Sequence, residues 1–370
     1  MCARWTPILR PGLHLTARRP GHTVGGETRA EAATTMHIGK SYRLFEFLDW
    51  TRRDIYVLIV VAVLPTVAYQ TGNMKWLGIP WTVVALLGTA TAFIVGFTNV
   101  QTYNRTWEAR QIWADISSSS RAWGTMSRDS LDDPEKSKEL VYRHLAWLTA
   151  LRYQLRENRV WETASKAHNA EYLRLYSVPE RHTPLETELA RFLPHAELAR
   201  VLAAGGKATQ VLGLQSKAIR GLLDSQSIVM TQFVDMQRSI KDLLVLQGRC
   251  ERIKDFPYPR QFASINSFFI KLFCLLLPFG LLREFDGLNG SVEGAMKGNM
   301  VWLVIPFSVL ISWVYTSLGR VGESTENPFE GSANDIPISH MCRTAEEDLR
   351  ELLGETDVPP PLQPRNNIVL

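Results

Sequence analysis

Apolar residues are concentrated in two parts of this chain, and charged residues are concentrated between them. Four runs contain one charged residue or none: 55–68, 76–100, 265–282 and 300–318. A helix that crosses a membrane needs about 20 apolar residues. The first run is shorter, but Tyr56 and Tyr69 can lie at the two membrane interfaces and extend it. The pattern therefore predicts an all-α membrane protein with four transmembrane helices.

Residues 102–262 have a different pattern, in which apolar residues recur every three or four positions among mixed charges. Val141, Leu145 and Leu148 are one example, and this spacing is typical of amphipathic helices. Clusters of aspartate, proline and glycine mark the breaks between helices: 132–134, 178–179, 183–184 and 204–206. The region is therefore predicted to form roughly four helices that pack as a cytosolic bundle.

These patterns divide the chain into five parts. The parts are a disordered N-terminal extension at 1–35, membrane helices 1 and 2 at 36–101, the cytosolic helical region at 102–262, membrane helices 3 and 4 at 263–320, and a cytosolic turn, helix and tail at 321–370. Basic residues flank one end of every predicted crossing: Arg52, Arg53, Arg105, Arg110, Lys254, Arg260 and Arg320. Because basic residues favour the cytoplasmic side, both termini and the middle region are expected in the cytoplasm.

Composition excludes several classes of function. Of the 370 residues, 45% are hydrophobic and 21% are charged, and the formal net charge is +4. So small a charge, without a basic stripe interleaved with aromatic residues, argues against nucleic acid as a partner. The four cysteines and eight histidines are scattered, without the spacing of a metal site. No hydrolase motif or phosphate-binding loop occurs either, so an enzyme is not expected and no cofactor is required.

Membrane helix 2 contains the most informative pattern. Thr89, Phe93 and Phe97 are four residues apart, so on a helix their side chains form one stripe. Small residues, which allow helices to approach closely, surround the stripe: Gly88, Ala90, Ala92 and Gly96. In a ring of identical subunits the stripe would place phenyl groups at the axis, where they would form an apolar constriction. The same spacing also fits ordinary lipid-facing or core packing.

Several segments, in order, resemble one family. The string GFTNVQTYNRTWEARQIW at 96–113 resembles the bestrophin signature of Gly-Phe, then Asn, then a run containing Trp-Glu-Ala-Arg. The string ENPFEGSANDIPI at 326–338 resembles that family's Asn-Pro-Phe-Gly and acidic turn. The strings CERIKDFPYPRQFASIN and LLLPFGLL resemble the bacterial branch. The resemblance extends from about residue 36 to about residue 354.

The resemblance implies a homopentameric channel with four membrane helices per subunit and a large helical cytosolic part. Such a channel would pass chloride and other small anions across the bacterial inner membrane, with lipid, permeant ions and copies of itself as partners. The family's apolar neck falls at Thr89, Phe93 and Phe97. Thr89 departs from the usual bulky apolar residue, which would make the outer ring wetter and wider. A second, cytosolic constriction would fall at Tyr258, which alternatively packs beneath the bilayer.

Two other functions stay open. A channel of the same fold could select cations such as sodium, because the faces of aromatic rings attract cations whereas their edges are electropositive. Alternatively, the chain could be a non-conducting membrane scaffold whose aromatic stripe only packs.

The acidic turn offers a further site, because animal members of the family bind calcium there. The corresponding residues are Glu330, Ser332, Asn334 and Asp335. Two carboxylates are few for a cation that prefers six to eight oxygen ligands, so calcium gating is not expected. The alternative is a capped turn that tethers the fourth membrane helix to the cytosolic bundle, with Asn334 and Asp335 satisfying backbone groups.

Charged residues follow the neck on membrane helix 2. Glu108 and Arg110 have no nucleophile or base beside them in the sequence, so an ion pair between helices is predicted rather than catalysis. Arg105 and Arg110 are expected to attract anions into a vestibule.

Overall fold

The computed structural model describes residues 44–163, 166, 169–170, 173–366 and 368–369. The predicted extension at 1–35 lies outside these residues. Regular structure in the described part of the chain is helical, apart from an isolated bridge between Arg365 and Ile368. The α-helices are α1 (Leu44–Gln70), α2 (Trp81–Asp129), α3 (Pro134–Arg156), α4 (Pro179–His182), α5 (Leu185–Leu189), α6 (His195–Ala203), α7 (Lys207–Asp224), α8 (Met230–Asp255), α9 (Arg260–Gly287), α10 (Val304–Ser324) and α11 (Ile338–Leu352). The prediction of an all-α fold is confirmed.

Four helical segments are long and apolar enough to cross a membrane: Leu44–Gln70, Lys75–Asp129, Arg260–Gly290 and Met300–Ser324. Each contains one of the four apolar runs found in the sequence. The four segments pack against one another. Helix α2 packs against α9 and α10, and α1 also packs against α9 and α10. The predicted number of candidate crossings agrees with the structure.

Helix α2 is continuous over 49 residues. At a rise of 1.5 Å per residue it is about 74 Å long, more than twice the thickness of a bilayer core. The predicted boundary between membrane and cytosolic parts, at 101–102, therefore falls inside one helix. The stretch that follows Phe97 contains neither proline nor glycine until Gly124, so nothing in it interrupts the helical hydrogen bonds.

The predicted breaks in the middle region coincide with helix ends. Asp133 caps α3, because its side chain accepts a hydrogen bond from the Glu135 amide at 3.0 Å and Pro134 begins the helix. Pro179 begins α4, and Gly206 precedes the first residue of α7. The region contains more helices than the four predicted, because two further breaks occur. Pro194 lies immediately before α6, and the segment at 225–229 separates α7 from α8.

The main hydrophobic core lies outside the four candidate membrane segments, except for the lower half of α2. Its largest members, Trp113, Trp123 and Trp147, are each 1% exposed or less. The indole of Trp147 donates a hydrogen bond to Gln247 Oε1 at 2.9 Å, which joins α3 to α8. Replacing any one of these buried tryptophans with alanine would destabilise the bundle by roughly 3–5 kcal/mol. The bundle therefore holds α2 in place below the membrane part.

Polar contacts join the ends of the membrane helices at two opposite levels. At one level, Arg320 near the end of α10 pairs with Asp54 near the start of α1, with 3.0 Å between nitrogen and oxygen. At the other level, the Tyr69 hydroxyl at the end of α1 donates to Asp286 at the end of α9, at 2.8 Å. Lys75 pairs with the same carboxylate at 3.2 Å. These contacts fit helices that alternate in direction through the bundle.

Candidate functional site

The aromatic stripe of α2 lies on the outside of the single chain. Phe93 is 78% exposed and Phe97 is 52% exposed, and Thr89 is exposed beside them. The other side of α2 is buried within the membrane bundle at Val84, Gly88, Thr91, Val95 and Thr98. Packing in the core of the subunit is therefore excluded as the role of the two phenyl groups. They face either lipid or other copies of the chain around an axis.

The Thr89 hydroxyl is partly engaged within its own helix. It donates a hydrogen bond to the carbonyl oxygen of Ala85 at 2.9 Å. The oxygen can still accept bonds from water, because a hydroxyl has acceptor capacity besides its one donor. The wetter outer ring expected from the departure at Thr89 would therefore depend on hydrogen bonds that the Thr89 oxygen accepts from water, not on bonds that it donates.

The small residues beside the stripe have two different roles. A Cβ atom added at Gly88 would lie 2.7 Å from Cε2 of Phe273, so the close packing of α2 on α9 requires glycine there. Gly96 has open space around it, with no atom within 4 Å of an added Cβ, and Ala92 is exposed. Gly88 is therefore used inside the subunit, whereas Gly96 and Ala92 leave room for another helix.

Arg105, which the sequence predicts to attract anions, contacts the end of α8 in the structure. Its guanidinium donates to the carbonyl oxygens of Ile253 and Phe256, the latter at 2.6 Å. Both acceptors lie where α8 ends, so Arg105 ties the middle of α2 to that end. The side chain thus positions the end of α8, and the neutral carbonyl groups that it contacts leave its positive charge in place.

Glu108 forms the predicted ion pair between helices. Its partner is Arg252 in the last turn of α8, and the two side chains are 39% and 57% exposed. A second pair lies further along the same two helices, where Arg249 is 3.7 Å from Asp115. The lower half of α2 thus presents two carboxylates, Glu108 and Asp115, that are each matched by an arginine of α8.

Tyr258 lies in the short connection between α8 and α9. In the single chain its side chain is only 8% exposed, and its ring lies 6.3 Å from that of Phe262. A residue that lines an aperture has to be exposed toward the axis. This burial in the single chain fits the alternative, in which Tyr258 packs at the base of the membrane helices.

The acidic turn is a compact, hydrogen-bonded loop. The Asp335 carboxylate accepts bonds from the Gly331 amide at 2.7 Å, the Ser332 amide at 3.0 Å and the Ser332 hydroxyl at 2.5 Å. Gly331 has a φ of +89°, which favours glycine. Asn334 donates to the Ser324 hydroxyl at 3.3 Å, at the end of α10. Asp335 satisfies backbone groups as the capped-turn alternative predicts, whereas this Asn334 contact is to a side chain.

The carboxylates of the turn already have positive or hydrogen-bonding partners. Glu330 accepts from the Thr163 amide at 2.8 Å and from the Thr163 hydroxyl at 2.9 Å. Arg156 donates to the Phe329 carbonyl oxygen at 3.0 Å and lies 3.6 Å from Asp335. A calcium ion at this turn would have to compete with the guanidinium of Arg156 for the same oxygens.

Burial raises the pKa of both carboxyl groups of the turn. It raises the pKa of Glu330 to about 8, with a further contribution from the negative charge of Asp335. It raises the pKa of Asp335 to about 6, although Arg156 acts in the opposite direction. Two carboxyl groups that interact in a dry environment favour keeping a proton between them.

Sequence reasoning missed the buried charges behind this turn. Arg152 lies 3.1 Å from Glu180, and the Ser339 hydroxyl at the start of α11 donates to the same carboxylate at 2.5 Å. Arg152 and Arg156 stand four residues apart on α3, on a face shared with buried leucines. That spacing was visible in the string LRYQLR, but the acidic partner comes from a distant part of the chain.

Comparison with known proteins gives consistent relatives. A family model described as bacterial/fungal bestrophin protein matches residues 51–351. The voltage-dependent anion channel-forming protein YneE of Escherichia coli is 26% identical over 312 residues, which cover 84% of this chain and 87% of that protein. The voltage-dependent anion channel-forming protein mll4386 of Mesorhizobium japonicum is 26% identical over 279 residues, covering 75% of this chain and 76% of that protein. The crystal structure of a bacterial bestrophin homolog from Klebsiella pneumoniae superposes with a TM-score of 0.68 at 24% identity, over 81% of this chain and 97% of the other.

Proposed function

Because this chain belongs to the bacterial and fungal bestrophin family, we propose that it is a passive channel for chloride and other small anions. Five copies surround one axis, and α2 of each copy lines an apolar neck at Thr89, Phe93 and Phe97. The permeant ion passes the neck without chemistry, so no cofactor is required. Calcium at the acidic turn is not needed for conduction.

The exposure of Phe93 and Phe97 carries this proposal. Two large aromatic side chains project from a helix whose opposite side is buried in the subunit. Exposed small residues beside them, including Gly96, allow a neighbouring helix to approach. A ring of phenyl groups narrows the axis and repels water, which is how an apolar constriction controls ion flow.

Anions are the favoured permeant ions for two reasons. The relatives in Escherichia coli and Mesorhizobium japonicum are named as anion channel-forming proteins. In addition, the edges of aromatic rings are electropositive, and edges that point at the axis favour anions. Ring faces turned toward the axis would favour cations, so a sodium-selective channel is the competing outcome of the test below.

The proposed location is the bacterial inner membrane, with both termini in the cytoplasm. The distribution of basic residues supports this orientation. Arg52, Arg53, Arg260 and Arg320 lie close to the ends of the predicted crossings that we place in the cytoplasm. Contacts such as that between Arg320 and Asp54 join these ends in the fold. The acidic Asp286 lies at the opposite level of the membrane bundle.

Purified protein in liposomes tests the proposal. Chloride flux is expected from the natural chain, with a reversal potential that follows the chloride gradient. Phe93→Ala and Phe97→Ala should each widen the neck and increase flux several-fold, because a wider ring holds water more readily. Phe268→Ala is the matched control, since Phe268 is 60% exposed on α9 and should leave flux unchanged.

Three results would contradict the proposal. Absence of flux in the natural chain and in both neck variants would make a non-conducting scaffold the better explanation. Equal effects of Phe97→Ala and Phe268→Ala would mean that Phe97 faces lipid. A reversal potential that follows sodium rather than chloride would support a channel but contradict its anion selectivity.

A further inference from the structure

The exposed face of α2 that holds Phe97 continues well beyond the membrane part. An α-helix turns 100° and rises 1.5 Å per residue. Glu108 follows Phe97 by 11 residues, so it lies about 20° around the helix and about 17 Å further along. Asp115 follows Phe97 by 18 residues, which is five full turns and about 27 Å. Gln101 and Asn104, both exposed, lie between them on the same face.

This face changes from apolar to charged along its length. Each carboxylate on it has an arginine partner from α8: Glu108 pairs with Arg252, and Asp115 lies 3.7 Å from Arg249. All four side chains are at least 39% exposed, so the charges lie at the surface of the chain. In the pair nearer the neck the arginine is the more exposed partner, at 57% against 39%.

The position of Arg252 is fixed by its neighbours. Arg105, one turn before Glu108 on α2, donates to the backbone carbonyl of Ile253, the residue that follows Arg252. It also donates to the Phe256 carbonyl at 2.6 Å. The end of α8 is therefore held against α2 by two contacts to its backbone, which keep Arg252 beside its partner Glu108.

We propose that Arg252 is a selectivity-determining residue, which screens a ring of Glu108 carboxylates below the neck and so keeps that part of the pathway accessible to anions. This inference rests on the proposed function, because Glu108 faces the axis only if Phe97 does. Several unscreened carboxylates on one axis would attract cations and repel anions. The arginine cancels that field locally.

Reversal potentials under a potassium chloride gradient test the inference in the full-length protein. Arg252→Gln is expected to lower the ratio of chloride to potassium permeability by roughly fivefold, the factor for one unit charge at contact distance in water. Glu108→Gln should raise the ratio, and the double variant should return close to the natural value. Arg252→Lys keeps the charge and should keep the natural ratio.

Two controls separate an electrostatic role from a structural one. Arg220→Gln removes an equally exposed arginine of α7, which pairs with Asp224 at 3.0 Å, and should have no effect on the ratio. The effect of Arg252→Gln should shrink as salt is raised from about 0.01 M to about 0.1 M, because the screening length falls from about 30 Å to about 10 Å. A merely structural change would not depend on salt.

The inference fails if the natural chain conducts and Arg252→Gln leaves the permeability ratio unchanged at low salt. It also fails if Arg252→Lys shifts the ratio as far as Arg252→Gln does, because charge would then not be the cause. Absence of current in the natural chain would instead contradict the proposed function, so the two failures are distinguishable.

Discussion

Buried carboxyl groups give the acidic turn a pH dependence at the scale of single residues. Glu330 and Asp335 are each 1% exposed. Burial raises the pKa of Glu330 from 4.5 to about 8. A carboxyl group with a raised pKa binds its proton more tightly in the folded chain than in the unfolded chain. Its contribution to the free energy of unfolding is therefore fully present below about pH 4.5 and is lost as the pH rises toward about 8.

Replacing Glu330 with glutamine should remove this loss. The amide oxygen can still accept from the Thr163 backbone amide, and the amide nitrogen can donate to the Thr163 hydroxyl. We expect Glu330→Gln to match the natural chain at pH 5 and to be more stable at pH 8 by roughly 3 kcal/mol. Thermal unfolding in detergent between pH 5 and 8 measures the difference.

Glu351 supplies the control for this measurement, because it is exposed on α11. Glu351→Gln should leave the pH dependence of unfolding as it is in the natural chain. A Glu330→Gln variant that is less stable than the natural chain at pH 8 would mean that the ionised carboxylate is favoured in the fold, against the direction given above.

At the scale of helices, two close contacts fix the position of α2 on α9. An added Cβ at Gly88 of α2 would lie 2.7 Å from Phe273 of α9. An added Cβ at Gly280 of α9 would lie 2.7 Å from Val84 of α2. Each helix thus presents a glycine to a large side chain of the other. Such contacts are how helices pack tightly where apolar surroundings give little driving force for association.

Gly88→Ala should therefore destabilise the membrane bundle. The added methyl group would overlap the Phe273 ring, and overpacking of this kind costs about 1–3 kcal/mol. Gly213→Ala is the matched control, because Gly213 is an exposed helical glycine of α7 with no atom within 4 Å of an added Cβ. There the gain in helix propensity should leave stability unchanged or raise it by up to about 1 kcal/mol.

The melting temperature of Gly88→Ala should consequently fall below that of the natural chain. The melting temperature of Gly213→Ala should stay constant or rise. Equal melting temperatures for Gly88→Ala and the natural chain would show that α9 can shift away from α2 without cost.

At the scale of the whole molecule, several large apolar side chains are exposed on the single chain. Met230, Val245 and Phe256 are 59%, 52% and 69% exposed. They lie on or next to α8, outside the four candidate membrane segments. These side chains are available for contact with another copy of the chain. Another copy of the chain would cover them in the proposed assembly.

We therefore expect purified protein in mild detergent to have the mass of five chains by native mass spectrometry. Met230→Glu should reduce that mass to smaller species, because a charge at an apolar contact between copies is costly to bury. Glu135→Gln, on the exposed start of α3, should keep the assembly intact. A natural chain that has the mass of one subunit would contradict the proposed pore.

The sequence alone was sufficient for the four candidate membrane helices and for the breaks that it marked, but it underestimated the number of helices in the middle region. Long apolar runs with one charged residue or none can satisfy backbone hydrogen bonds in lipid only as helices, so four candidate crossings followed from composition. The residues at 132–134 and 178–179 predicted breaks between helices, and a helix begins at the proline of each, because proline lacks a backbone donor and fits the first turn. The spacing of Phe93 and Phe97 predicted a shared stripe, and the structure exposes it.

Tertiary structure alone decided which polar groups are free. Arg105 and Glu108 stand three residues apart, yet Arg105 is engaged by the end of α8 and Glu108 pairs with Arg252, 144 residues further along the chain. Tyr258 is buried, and Asp335 is enclosed by donors of its own turn. Spacing along one segment fixes which face a side chain occupies, because helix geometry is local. Which residues that face contacts depends on distant segments of the chain that fold against it, and the local periodicity does not predict which segments these are.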